Sequence, residues 1–171
     1  MKGRSQRLSE SLDAFSRATG HAVAWLTLFM VIATFVIVVL RYVFGVGFIW
    51  LQESLIWMHG VVFMLGAAYT LQQEQHVRVD IFYRDMNSRK RAWVDSFGVI
   101  FFVFPLCLFF FVESWDYARA AWSVKEISRD SGGLPYPAIP LLKSILLVMP
   151  LAVSLQGLSL LLTSLRQLGK R

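Results

Sequence analysis

Charge is what this chain has least of. Of its 171 residues, 16% are Asp, Glu, Lys or Arg, where a water-soluble domain carries about 25%. The lone cysteine, Cys107, excludes an intrachain disulfide and any zinc site built from cysteines. There is no glycine-rich phosphate loop, no histidine-rich metal motif and no nucleophile–base grouping at catalytic spacing. No enzyme activity, resident metal ion or bound cofactor is therefore expected on the leading reading. Disordered, collagenous and coiled-coil chains each need a polar or periodic composition that is missing here.

What is present is apolar. Hydrophobic residues make up 56%, the mean hydropathy is +0.55, and the length suits one membrane domain over residues 1–171. The net charge of +6 invites a nucleic-acid reading. The basic residues, however, sit in short segments between apolar runs rather than along one folded face. In a membrane chain such an excess reports orientation instead.

About 20 mostly apolar residues span a bilayer at 1.5 Å each. Uncharged runs at 22–40, 54–73, 96–112 and 144–165 predict four spans, at approximately 21–44, 49–72, 92–115 and 141–165. The first follows Lys2, Arg4 and Arg7 as a signal peptide would, but its core is too long and no small-residue cleavage site follows. Leu8, Leu12 and Phe15 recur at helical spacing among charges, which predicts an N-terminal amphipathic helix lying on the membrane surface. Twelve of the 17 Lys and Arg residues fall before the first span, between the second and third, or after the fourth. Both termini and the middle loop are thus expected in the cytoplasm. Arg89-Lys90-Arg91 and Trp93 anchor that side against anionic lipid.

The opposite side holds one sizeable segment, at 116–140. Trp115, Ala118 and Trp122 repeat every three or four residues, so the third helix is expected to extend out of the membrane until Ser131-Gly132-Gly133 and Pro135 end it. Pro137 and Pro140 should then hold the chain extended up to the fourth span. Trp115, Trp122 and Tyr136 make this segment a candidate docking surface, or a stretch folded onto its own bundle.

Ionisable residues inside spans are costly and each calls for a role. Arg41 closes the first span, Glu53 opens the second, Glu113 closes the third and Lys143 opens the fourth, all near one interface. They are candidates for a polar network between helices or subunits; the sharper alternative makes Glu53 the ion site of a self-assembling small transporter. His59, near the middle of the second span, suits a hydrogen bond between helices. His21 and His76 flank the cytoplasmic ends of the first two spans, which raises a b-type haem cytochrome as a further alternative. Gly66 and Thr70 form a small-xxx-small spacing that can admit a close helix neighbour.

A family becomes visible around the second span. Arg41-Tyr42-Val43-Phe44-Gly45, Trp50-Leu51-Gln52-Glu53, Gly66-Ala67-Ala68 and His76-Val77-Arg78-Val79-Asp80 follow one another in a four-span chain of this length. In order and spacing they resemble the small membrane subunit, the Q or DctQ-type subunit, of tripartite ATP-independent periplasmic (TRAP) transporters. The segment from Glu126 through Pro140 to Leu155 is similar as well. The resemblance implies residence in the bacterial inner membrane and a complex with a large multi-span membrane subunit and a periplasmic substrate-binding protein. The whole would import an organic acid with sodium. It implies that the large subunit carries the moving parts while the small one braces it, and marks His76, Arg78 and Asp80 as a family motif in the cytoplasmic loop. Members commonly carry two adjacent acids where this chain has Gln52-Glu53.

Overall fold

The structure is a computed structural model that describes residues 4–73 and 86–169. Among these residues it is entirely helical, with four helical rods long and apolar enough to cross a bilayer. Helix α1 covers Arg4–Tyr42 and α2 covers Ile49–Gln72. The third rod, Ser88–Ser123, is α3 (Ser88–Gly98), a π turn (Val99–Val103) and α4 (Phe104–Ser123) in unbroken succession. Helix α5 covers Ala138–Gly169. It is the hub: α1 and α2 pack on each other and on α5, and the third rod packs along α5.

The interfaces are rich in small side chains. Ala68, Ala92, Cys107, Ala118 and Ala121 are buried, as are Pro140, Pro150, Gly157 and Ser159 of α5, beside the larger Val23, Val61, Leu71 and Val99. Large side chains such as Trp25, Phe35, Phe101, Phe102 and Leu108 point outward. This inversion follows from the solvent. Lipid tails are as apolar as leucine, so helices associate by close packing and hydrogen bonds rather than by hiding hydrophobic bulk. Gly20 shows the closeness, since the Tyr69 ring occupies the place its Cβ would need.

Local chemistry sets the ends of the rods. Gly45, at φ +68°, ends α1, and the Val46 N–H donates to the Leu40 carbonyl at 2.9 Å. Glycine takes this left-handed conformation without strain. Asn87 caps α3 by accepting from the Lys90 N–H at 2.9 Å. In the π turn the Phe104 N–H donates to Val99, five residues back. The widened turn accommodates Pro105, whose ring would otherwise crowd the carbonyl four residues earlier. It also corrects phase. Val99 and Cys107 would lie about 80° apart on a regular helix at 100° per residue, and one absorbed residue brings them within about 20°. Ala92, Ser96 and Val99 below, and Cys107, Ala118 and Ala121 above, therefore all face inward.

Three expectations need correction. The N-terminal segment is not a separate surface helix: Arg4–Tyr42 is one 39-residue rod, about 58 Å long at 1.5 Å per residue. Its first turns dock on α5 through a polar seam. Ser9 and Ser159 hydroxyls lie 2.9 Å apart, and the Ser16 hydroxyl donates to Gln156 Oε1 at 2.6 Å. Gln156 Nε2 and the Ser159 hydroxyl both donate to Asp13 Oδ1, at 3.0 and 2.7 Å. The third rod stops at Ser123, well before Ser131-Gly132-Gly133. Lys125, at φ +48°, takes the left-handed position usually given to glycine, and the Glu126 N–H closes back on the Ala121 carbonyl. Finally, α5 begins at Ala138, so Pro140 stands in its first turn, where a missing N–H costs nothing.

Candidate functional site

The loop between α4 and α5, residues 124–137, lies at the same end of the bundle as the α1–α2 turn and is tied down on three sides. From α2, the Glu53 carboxylate accepts hydrogen bonds from the Ser128 hydroxyl and from the Leu134 N–H, the latter at 2.6 Å. Hydrogen bonds to an ionised acceptor are about twice as strong as neutral ones. Two more bonds from α2 flank them. The Trp50 N–H donates to the Gly132 carbonyl at 3.1 Å, and Trp57 Nε1 to the Ala138 carbonyl at 3.0 Å. Gly133 has no room for a side chain: a Cβ there would collide with the Ser128 side chain and stand 2.7 Å from Glu53 Oε2.

From α5, Lys143 bonds Glu126 at 2.6 Å and lies 4.0 Å from the centre of the Tyr117 ring of α4. Trp122 Nε1 donates to the Ser144 hydroxyl at 2.9 Å, and the Trp122 ring meets Tyr136 edge-on at 6.1 Å. The loop also closes on itself, with the Ser128 hydroxyl accepting from the Asp130 N–H at 3.1 Å and the Gly133 N–H donating to the Asp130 carbonyl at 3.0 Å. Two open cavities adjoin it. One, of about 380 Å³, is apolar and lies among Trp57, Met58, Pro135, Tyr136 and Leu141. The other, of about 470 Å³, mixes charges from Glu53, Glu126, Arg129, Asp130 and Lys143.

The four ionisable residues expected to share one layer thus do not pair with one another. Glu53 holds the loop, and Lys143 takes Glu126 as its partner. Arg41 is exposed at the end of α1, and Glu113 is exposed one turn below Tyr117; neither forms an ion pair among the described residues. The reason is geometric. Because α4 runs ten residues past Glu113, that acid lies well below the level of Lys143. Trp122 and Tyr136 are drawn into the clamp, whereas Trp115 is exposed and stacks near Phe111 at 5.8 Å. His59 is exposed near the middle of α2, beside the Phe63 ring. His21 packs against Tyr69 at 6.3 Å. His76, Arg78 and Asp80 lie outside the described residues.

Ser128 and Trp57 were not singled out from the sequence, and Gly133 and Glu126 were read only as part of a helix stop and as the start of a family-like segment. The only signal for them was a run of small and turn-forming residues of the right length to fold back onto Glu53. The Lys143–Glu126 pair is partly exposed, and its expected worth is accordingly small. Lys143→Met should lower unfolding free energy by no more than about 1 kcal/mol, measured by thermal unfolding in detergent; a larger loss would make this pair a principal tie of the loop.

These features define a multi-pass helical membrane protein whose α4–α5 loop is clamped to its own bundle, with no group of His, Cys, Asp and Glu able to hold a metal among the described residues. Residues 30–168 match the family model of the DctQ component of tripartite ATP-independent periplasmic transporters, and the chain belongs to that family. It is therefore the small component of such a transporter, from a family of transport proteins rather than enzymes. No curated protein and no solved structure matches the chain.

Proposed function

We propose that this chain is the brace of a sodium-coupled organic-acid importer in a bacterial inner membrane. It holds the large multi-span subunit in place and offers its clamped loop to the periplasmic substrate-binding protein. The clamp is the observation that carries this reading. A loop bonded to α2 through Glu53 and to α5 through Lys143, and packed on α4 through Trp122 and Tyr136, suits a fixed platform better than a lid over a solute. The two-sided charge of the cavity beside it, with Glu126 and Asp130 against Arg129 and Lys143, suits a polar protein surface. In the rival reading Glu53 carries a coupling ion. Its carboxylate oxygens are instead engaged by Ser128 and Leu134.

Reconstitution tests the proposal. Liposomes holding this chain alone should show no uptake of a radiolabelled organic acid under a sodium gradient. Liposomes with the large subunit as well, supplied with the periplasmic protein, should accumulate it. Uptake by the isolated chain would overturn the reading.

A further inference from the structure

The outward face of α2 carries a polar group that lipid cannot satisfy. His59 stands eleven residues into the 24-residue helix, close to its middle. Its imidazole is exposed, hydrogen-bonds to nothing among the described residues and lies beside the Phe63 ring, 6.4 Å away. A polar side chain at such depth is costly where only acyl chains surround it. Ile56 and Phe63, on either side, are 65% and 70% exposed.

The same face also carries a groove. At 100° per residue His59, Phe63, Gly66 and Thr70 fall within about 60° of one another. Phe63, Gly66 and Thr70, on the side of His59 away from the loop, border a cavity of about 520 Å³ between α1 and α2, completed by Ala67 and by Ala24 and Thr27 of α1. Small residues let two helix backbones approach closely. The membrane-facing surface of the third rod differs, with bulky side chains such as Phe102, Leu106 and Phe109.

We propose that this face, from His59 to Thr70 on α2 with Ala24 and Thr27 on α1, receives a transmembrane helix of the large membrane subunit that presents a hydrogen-bonding side chain to His59. The proposal rests on the reading of the chain as a brace and states where the brace is applied. Lipid fits the groove but offers His59 neither donor nor acceptor at this depth. A helix supplies both the close backbone and the polar partner.

Gly66 makes the test clean, because a Cβ at that position meets nothing within 4 Å. Gly66→Leu should leave the chain's own helix content and thermal midpoint unchanged and obstruct only an occupant of the groove. With the large subunit co-expressed and the small chain tagged, Gly66→Leu should lower its recovery in mild detergent about tenfold, and His59→Leu about three- to tenfold. His59→Gln, which keeps a donor and an acceptor, should restore most of it. Leu106→Trp, on the bulky face, should change nothing. Wild-type recovery by both Gly66→Leu and His59→Leu would overturn the inference while leaving the brace intact. A wild-type chain that recovers no large subunit would overturn the brace itself. A photoreactive phenylalanine in place of Phe63 should crosslink to the large subunit; crosslinks only to lipid, or to a second copy of this chain, would refute the placement.

Discussion

Glu53→Ala should set the loop free. The substitution removes the acceptor for the Ser128 hydroxyl and the Leu134 N–H at once, and opens a space beside Gly133. Trypsin sites follow Lys125 and Arg129, both exposed within the loop. Cleavage there should quicken by at least about tenfold, because proteolysis of a native chain tracks the population of locally opened states. Helix content should be unchanged, since the rods keep their own contacts. Glu53→Gln retains one oxygen acceptor and should fall between the two. In the reconstituted transporter, Glu53→Ala should weaken capture of the loaded periplasmic protein, read as a rise in the concentration needed for half-maximal uptake. Unaltered cleavage after Arg129 would show that the carboxylate does not hold the loop.

The second large effect belongs to the other end of the bundle. Gln156→Leu should detach the first turns of α1 from α5. Ser16, Gln156 and Ser159 are 3%, 3% and 2% exposed, so no water can replace a lost partner. Leucine leaves the Ser16 hydroxyl without its acceptor and takes one of two donors from Asp13. Leaving buried polar groups unsatisfied in a shared network costs about 2–4 kcal/mol. The loss should appear as faster amide exchange over residues 6–20 and a lowered thermal midpoint, well beyond the change expected for Lys143→Met. Equal exchange in both proteins would mean that packing, not this seam, holds α1.

Hydropathy alone made four spans readable, since few segments other than spans carry about 20 uncharged residues in a row. The seam was hidden by its neighbours. Leu8, Leu12 and Phe15 drew attention to one stripe of the N-terminal helix, and in water that stripe would be the buried one. In the bundle Leu8 and Phe15 face outward, and the stripe one residue along, Ser9, Asp13 and Ser16, packs inward. Apolar periodicity finds the covered face only where water is the solvent. Gln156, a lone amide within the run 144–165, was the better clue. The end of α4 was misplaced for a different reason: Lys125 adopts a backbone conformation that its residue type seldom takes, while Gly132 and Gly133 serve the loop. Glu53 and Lys143 were noticed as charges near the loop. Their partners depended on how far α4 extends, which no spacing rule gives.

The π turn leaves the third rod with two helical phases joined by a single surplus residue. Winding Val99–Val103 into an ordinary helix with every residue kept would swivel the whole of α4 by about 100°. Cys107, Ala118 and Ala121 would swing toward the acyl chains, and Trp122 would leave Ser144 behind. Deleting one of the five residues would instead give a regular helix with both phases preserved, so the orientation of the distant loop hangs on the widened turn through torsion rather than through any contact.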